Sequence, residues 1–193
     1  FVINEHNKQI LHYFRENYRL KEYLEKMNKA HLYEEVKKLH EKANFSFVKQ
    51  TESDPYGSAT PVKLAQSHFE NEEAFVVLMG DDIPYNADGT SEVSLMLQHL
   101  EKTGAPALAT FTEQPTDLLH KYGIAETIEK NGFQYLKNLI EKPEPGSAPS
   151  NLANISKYIL TPDVFDIIDN QKIDSRSGEL YITDTVTKLA QQK

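Results

Sequence analysis

The chain has 193 residues and no cysteine, which excludes disulfides and thiolate metal sites, and its 39% hydrophobic and 26% charged residues are typical of a globular protein. Its formal net charge of −8 argues against a nucleic-acid groove, which needs a basic face to neutralise phosphates. No apolar run approaches the roughly 18 residues that span a bilayer, and no signal-peptide layout opens the chain, so we expect a cytoplasmic protein without membrane contact.

The apolar pattern predicts strands that alternate with helices. In chain order these are a strand over residues 1–3, a helix over 4–14, a helical stretch over 20–43, a strand over 45–48, a helix over 62–69, a strand over 74–79, a helix over 93–102, strands over 105–111, 122–128, 134–141 and 155–160, and helices over 162–170 and 184–192. Such alternation indicates an α/β fold. We expect a single domain over residues 1–193, built on a Rossmann-like, mixed and mostly parallel sheet that is covered by helices.

The stretch over residues 20–43 places apolar residues at helical spacing, with lysines and glutamates on the other face. We interpret it as an amphipathic helix that packs on its own domain, with partner binding as the alternative. Its apolar face, or an uncovered sheet edge, would also allow a homo-oligomer.

The strand over residues 74–79 reads AFVVLM and has no polar position, as expected for a strand buried on both faces of a parallel sheet. It ends in Gly80, Asp81 and Asp82, and ligands of α/β sheets sit beyond the carboxyl ends of strands. A hard cation such as Mg²⁺ binds through one or two carboxylates together with substrate phosphates and water. Taken alone, the two aspartates are still better explained as a turn that ends the strand.

The segment VKQTESDPYGSAT, residues 48–60, places Gln50 after a strand and before a loop that contains Gly57. A glutamine amide offers a donor and an acceptor, which matches the N3–H and O4 edge of uracil or thymine. The loop could also bring bare backbone close to a flat polar ring. An ordinary surface loop is the better explanation of this segment alone.

The segment LIEKPEPGSAPSNLA, residues 139–153, places Glu141 and Lys142 directly before Pro143. Proline disfavours helical geometry in the preceding residue, so we expect an extended Lys142 and two side chains that project to different sides. A carboxylate can accept hydrogen bonds from sugar hydroxyls, while an ammonium group pairs with a phosphate. Alone, this segment is better explained as the surface end of a strand.

The order of these segments is more specific than any one of them. VKQ…GSA, LMGDD, YGIAE, EKPEPGSAPSN, KYILTPDVFD and GELYITDTV follow one another. This succession closely resembles bacterial UTP–glucose-1-phosphate uridylyltransferases, which belong to the sugar-phosphate nucleotidylyltransferase family. The resemblance covers nearly the whole chain and implies a nucleotidyltransferase, or glycosyltransferase-A-like, fold. It also implies a Mg²⁺-dependent reaction in which glucose 1-phosphate attacks the α-phosphate of UTP in line, giving UDP-glucose and pyrophosphate.

On the nucleotide side, the resemblance implies that Gln50 reads uracil and that Gly57 and Gly80 bind the nucleotide. It implies that Asp81 is the Mg²⁺ ligand and a catalytic residue, whereas Asp82 shapes the turn. Such a reaction needs no protein nucleophile, because phosphoryl-type transfer is catalysed mainly by positioning and charge neutralisation.

On the sugar side, the resemblance implies that Gly123 contacts glucose, that Glu141 binds its hydroxyls, and that Lys142 binds the sugar phosphate as a second catalytic residue. Glu179 and Asp184 lie in a family motif on this side, although Asp184 could equally cap the last helix. The expected partners are therefore two small molecules, UTP and glucose 1-phosphate.

Two features of the resembled family are absent from the sequence. A Gly-rich nucleotide loop would precede Phe1, and a second metal-binding aspartate would follow Lys193. We therefore expect a chain that is incomplete at both ends and 193 residues that are inactive by themselves. Ser58 and Ser156 also depart from the family pattern, Ser156 by replacing a glycine.

Two other functions are compatible with the sequence. A thymidylyl or other sugar-phosphate nucleotidylyltransferase is one, because uracil and thymine share the edge that Gln50 would read. A non-catalytic module that binds sugar nucleotides is the other. The missing Gly-rich loop favours the module, and the joint presence of Gln50, Asp81, Glu141 and Lys142 disfavours it.

Overall fold

The computed structural model describes residues 1–37, 42–83, 85–105 and 107–192. These residues form two compact units, Phe1–Pro55 and Tyr56–Lys193. Two compact units can belong to one domain, so the single domain over residues 1–193 stays a prediction. Within the described ranges, no helix is long and apolar enough to cross a membrane, and the cytoplasmic location also stays a prediction.

The N-terminal unit consists of a two-stranded sheet and three short helices. Its elements are β1 (Val2–Asn4), α1 (Gln9–Tyr13), α2 (Tyr18–Lys26), α3 (Ala30–Lys37) and β2 (Val48–Gln50). The two strands are parallel, with Val2 opposite Val48 and Asn4 opposite Gln50. The strand predicted over residues 45–48 therefore begins later, at Val48.

The helical stretch predicted over residues 20–43 is two helices, α2 and α3, in its described part. Asn28 lies between them with φ +53°, a left-handed conformation that ends α2, and asparagine tolerates this conformation better than most residues. At the start of α2, the Asn17 side chain accepts a hydrogen bond from the Leu20 amide at 3.1 Å. The predicted apolar position at Leu39 lies in residues 38–41, outside the described residues.

The C-terminal unit contains five strands, five α-helices and one 3₁₀ helix in its described residues. The strands are β3 (Phe75–Leu78), β4 (Leu108–Glu113), β5 (Gly123–Lys130), β6 (Phe133–Glu141) and β7 (Leu152–Leu160). The helices are α4 (Thr60–Leu64), α5 (Gln66–Phe69), α6 (Glu92–Thr103), the 3₁₀ helix Thr116–Lys121, α7 (Asp163–Asp169) and α8 (Ile182–Gln191). Each predicted strand has a counterpart among them, and so has each predicted helix, except that the helix predicted over residues 62–69 is two short helices, α4 and α5.

β7 is the strand to which three others attach. β4 pairs with it over residues 152–159 and so occupies one edge. β3 and β5 therefore share the other edge, where Leu78 lies opposite Lys157 and Ile124 opposite Ala153. β6 pairs with β5 as a hairpin whose turn is Asn131-Gly132, and both turn residues have positive φ.

The α/β fold class is confirmed, but the strand orientation differs from the expected mostly parallel sheet. All described pairings of the five-stranded sheet are antiparallel, and the parallel pair is β1 with β2. A continuous apolar run indicates that both faces of a strand are covered, and it carries no information on the direction of the neighbouring strand. The predicted burial of both faces of the strand over residues 74–79 is also wrong, because Leu78 is 53% exposed and only Phe75 of β3 is buried.

The main core lies where α7 and α8 pack on the sheet. Phe75 of β3 stacks on Phe165 of α7, with ring centroids 5.5 Å apart. Ile182, Val186 and Leu189 of α8 recur at helical spacing and are all buried in the same cluster. This packing holds α8, including its first turn, against the rest of the core of the C-terminal unit.

Candidate active site

Two strand ends carry most of the predicted site residues. The Asp turn (residues 80–82) follows β3, and the Glu–Lys end (residues 141–142) begins with the last residue of β6. β3 and β5 pair with the same edge of β7, and the Glu–Lys end lies next to that edge through the pairing of β6 with β5. β3 ends near Lys157, and β5, which starts at Gly123, meets β7 at Ala153. These two positions are four residues apart on β7, and Ser156, with φ +54°, and a register shift against β4 lie between them.

The two carboxylates of the Asp turn have different partners. The buried Lys157 Nζ donates hydrogen bonds to the Asp82 carbonyl and to the Ile155 carbonyl, and it lies 3.5 Å from Asp82 Oδ1. The Asp81 side chain is exposed and has no hydrogen bond or ion pair among the described residues. The turn therefore gives the Asp82 carboxylate, which is 44% exposed, an ion pair with Lys157, and it leaves Asp81 without a protein partner in the described ranges.

A divalent cation fits this turn only as part of a site that substrate completes. Within the described ranges, no three His, Cys, Asp or Glu side chains converge into a group that could hold a metal. Mg²⁺ is commonly bound through one or two carboxylates, with substrate phosphates and water as the other ligands. The single available carboxylate of Asp81 matches that donor set.

The structure brings Gly123 and the Glu–Lys end together. Gly123 lies opposite Glu141 in the hairpin of β5 and β6, and a Cβ atom at Gly123 would lie 3.0 Å from Glu141 Oε2. The same Cβ would lie 3.5 Å from Thr183 Cγ2 and 3.7 Å from Asn154 Cβ. Four residues from three strands and the start of α8 therefore surround one small space.

Burial raises the pKa of Glu141, and the nearby carboxylates Glu179 and Asp184 raise it further, while Lys142 and Thr183 lower it. Asp184 lies in the first turn of α8, and the residue before that helix is Tyr181, so Asp184 does not cap the helix. The Thr183 hydroxyl is buried and has no hydrogen-bond partner at normal geometry among the described residues. This end of the sheet thus holds a partly desolvated carboxylate that interacts with the buried hydroxyl of Thr183.

The predicted extended geometry of Lys142 is wrong. Its φ is +43°, in the left-handed region, and its amide donates to the Tyr122 carbonyl at 3.0 Å. Pro143 disfavours the right-handed helical region in the preceding residue, but Lys142 adopts the left-handed region instead of the extended one. Left-handed geometry outside glycine is uncommon and often marks a functional site. The exposed Lys142 side chain is consistent with a ligand-facing role.

Sequence reasoning missed a buried polar group on β7. Asn154 Nδ2 donates to the Tyr158 hydroxyl at 2.6 Å, and the Asn154 Oδ1 accepts from the Ser156 amide at 3.1 Å. Burial raises the pKa of Tyr158 to about 12. Ser156 has φ +54°, which gives a physical reason for the glycine that the resembled family has there. The only signal in the sequence was the polar interruption NISK within an otherwise apolar strand.

Gly57 is required by the fold itself. Its φ is +133°, and a Cβ atom would lie 2.3 Å from the backbone nitrogen of Leu180. Leu180 in turn donates to the Tyr56 carbonyl at 2.8 Å, and Ser58 Oγ accepts a hydrogen bond from the amide of Ile182, the first residue of α8. The predicted loop therefore packs on the segment that leads into α8.

The remaining predicted residues lie in more open surroundings. A Cβ atom at Gly80 would meet nothing within 4 Å, so the fold does not require glycine there. Gln50 belongs to the N-terminal unit, where it ends β2 and its carbonyl accepts from the Glu5 amide at 3.0 Å.

The family follows from comparison with known proteins. A family model described as nucleotidyl transferase matches residues 4–193. The chain belongs to the nucleotidyl transferase family. The fold expected from the resemblance is thereby confirmed.

Named relatives of this family member are uridylyltransferases. The chain is 34% identical over 189 residues to UTP–glucose-1-phosphate uridylyltransferase of Staphylococcus haemolyticus (strain JCSC1435), a match that covers 97% of the chain and 63% of that protein. UTP–glucose-1-phosphate uridylyltransferase 2 of Staphylococcus saprophyticus gives the same identity and coverage. The chain thus spans less than two thirds of the length of these two relatives.

Solved structures show the same similarity. Apo-UDP-glucose pyrophosphorylase superposes with a TM-score of 0.82 at 28% identity, covering 100% of this chain and 69% of that one. UDP-glucose pyrophosphorylase complexed with UDP-glucose gives a TM-score of 0.80 at 28% identity, covering 100% and 68%.

Proposed function

We propose that the protein transfers a uridylyl group from UTP to glucose 1-phosphate, giving UDP-glucose and pyrophosphate. The observation that carries this proposal is the joint placement of the Asp turn and the Glu–Lys end beside one edge of β7. A phosphate oxygen of glucose 1-phosphate would form a bond to the α-phosphorus of UTP, and the bond to pyrophosphate would break. The names of the relatives support the same reaction.

We assign the sugar 1-phosphate to the Glu–Lys end. The Glu141 carboxylate, partly removed from water, would accept hydrogen bonds from sugar hydroxyls, and these bonds are stronger to a charged acceptor. Gly123 leaves the space in front of that carboxylate free of a side chain. The exposed Lys142 ammonium would neutralise the sugar phosphate, which lets two polyanions approach each other.

We assign the divalent cation, with Mg²⁺ as the metal, to Asp81. When bound, such an ion neutralises phosphate charge and polarises the reacting phosphoryl group. Asp81 would hold it together with the nucleotide phosphates, and Gly80 would leave room for them. Gln50, in the N-terminal unit, would pair with the edge of uracil through its amide.

The reaction is tested with the complete protein, UTP, glucose 1-phosphate and Mg²⁺. We expect equal amounts of UDP-glucose and pyrophosphate, measured by chromatography and a coupled pyrophosphate assay, and no product when EDTA replaces Mg²⁺. dTTP in place of UTP should give a lower kcat/KM. Equal or better use of dTTP would make the protein a thymidylyltransferase, and no product with either nucleotide would contradict the proposal.

A further inference from the structure

Lys157 is the most deeply buried charged side chain in the described part of the C-terminal unit. Its side chain is 1% exposed, and it lies on β7 between Ser156 and Tyr158. An ammonium group is expensive to bury unless hydrogen bonds and an opposite charge compensate the lost hydration. The burial of Lys157 therefore needs an explanation, whereas a lysine on the surface would need none.

The partners of Lys157 are Asp82, which follows β3, and the Ile155 carbonyl of β7 itself. The Lys157 Nζ donates to the Asp82 carbonyl and lies 3.5 Å from the Asp82 carboxylate, with a further bond to the Ile155 carbonyl at 3.0 Å. Leu78 lies opposite Lys157 in the sheet, and the Met79 amide donates to the Ser156 carbonyl at 3.3 Å. Lys157 thus holds the backbone and the second carboxylate of the Asp turn beyond the last strand pairing.

This arrangement gives different surroundings to two adjacent and chemically equivalent carboxylates, those of Asp81 and Asp82. Without Lys157, either Asp81 or Asp82 could turn toward a cation, and the turn would have no side-chain anchor to β7 among the described residues. With Lys157 in place, Asp82 is paired and Asp81 is presented. Because Nζ is buried, it cannot touch a substrate phosphate, so its effect on a ligand must pass through the turn.

We propose that Lys157 is a positioning residue that ties Asp82 to β7 and thereby fixes Asp81 as the carboxylate that holds the divalent cation. The inference rests on the proposed function, which places the cation at Asp81. It predicts that loss of Lys157 weakens metal binding, which is the opposite of what its charge alone would do. A nearby positive charge repels a cation, so its removal would strengthen metal binding if charge alone mattered.

The test measures how much Mg²⁺ strengthens UTP binding. Calorimetry on the complete protein gives the Kd of UTP with saturating Mg²⁺ and with EDTA, and the ratio of the two is the metal-dependent gain. We expect Lys157→Met to reduce this gain about 10-fold, the lower end of the loss seen when groups that orient a metal ligand are removed. The Kd in EDTA should stay within about twofold, because Lys157 does not touch the nucleotide.

Three further variants make the result specific. Lys157→Arg should restore the gain to within about threefold, since a guanidinium can keep the same acceptors. Lys63→Met removes a lysine that pairs with Asp169 elsewhere in the unit, and it should leave both constants unchanged. If Lys157→Met does not fold, Lys157→Gln carries the same expectation, because it keeps a donor and loses the charge.

An unchanged or larger gain in a folded Lys157→Met or Lys157→Gln protein would overturn the inference. An equal weakening with Mg²⁺ and with EDTA would also overturn it, because that result indicates general damage to the site. If the parent protein shows no metal-dependent gain, the cation assignment in the proposed function fails first. If the parent shows the gain and the variants keep it, only the role of Lys157 fails.

Discussion

The Asp turn and the Glu–Lys end both place a carboxylate at a strand end beside β7, but in different surroundings. Asp81 is exposed and unpaired among the described residues, next to an Asp82 that Lys157 engages. Glu141 is partly buried beside Thr183, and burial raises its pKa. A hydrated, unpaired carboxylate suits a divalent cation, whereas a partly desolvated one suits neutral hydroxyls. Burial therefore divides the two tasks between residues of the same chemical type.

The largest effect should come from Asp81→Ala. We expect kcat to fall on the order of 10²-fold or more at saturating Mg²⁺, because a preorganised stabiliser of the transition state is lost. Steady-state assays on the complete protein measure this change. The control is Asp82→Asn, which keeps the backbone bond to Lys157 and should lose less than about 10-fold. Equal losses in the two variants would show that the two carboxylates are not separated as proposed.

Glu141→Gln should act on the sugar and not on the metal. We expect the KM for glucose 1-phosphate to rise about 10-fold, since a charged hydrogen-bond acceptor becomes neutral. The Mg²⁺ concentration for half-maximal rate should stay the same. The matched control is Glu129→Gln, at an exposed position of β5. A shift in the Mg²⁺ requirement would contradict the division of tasks between the two strand ends.

The same Glu141→Gln protein should be more heat-stable than the parent at pH 7. Because burial raises the pKa of Glu141, the folded state favours the neutral acid more than the unfolded chain does. The charged form therefore costs stability above the raised pKa, and this cost disappears as pH falls through it and below the unfolded value. Melting temperatures should differ most near neutral pH and converge in acid. A gap that widens on acidification would reverse the sign of the pKa shift.

We expect the smallest effects from alanine substitution of the two glycines at these strand ends, Gly123 and Gly80, and the two effects should differ. Gly123→Ala places a Cβ atom 3.0 Å from Glu141 Oε2, so the carboxylate must shift by a few tenths of an ångström. We expect the KM for glucose 1-phosphate to rise about threefold, a small fraction of a hydrogen bond to a charged group. Gly80→Ala meets no protein atom within 4 Å and should leave that KM and the melting temperature unchanged. Equal changes in the two variants would argue against a sugar at Gly123.

The two strand ends could be predicted because their signals are local. A strand that stops at Gly80, and a proline directly after Lys142, are visible in a few adjacent letters. The helix break at Asn28 was less visible, because the apolar spacing continues on both sides of it. The predicted direction of the sheet strands was wrong, since a continuous apolar run carries no information on the direction of the neighbouring strand.

Lys157 could not be predicted from its own segment. A lysine in a strand is usually solvent-exposed, and its partner Asp82 is 75 residues away in the sequence. Lys142 shows a related difficulty, because the rule for a residue before proline excludes one region and does not choose between the others. Pairings between distant residues, and backbone choices made under tertiary constraint, are set by the assembled sheet.

The pairing of the other strands with β7 limits which parts of the sequence can change during evolution. The hairpin of β5 and β6 meets β7 at one described pair, Ile124 with Ala153, whereas β3 pairs with it over four residues. The hairpin can therefore change its side chains or its length without altering the pairing that supports Asp81. A single insertion within β7 between Ala153 and Lys157 would instead move the two ends relative to each other. Under the proposed function, exchange of the acceptor sugar would thus be open to gradual substitution, while the spacing between the cation and the acceptor would depend on the single strand β7.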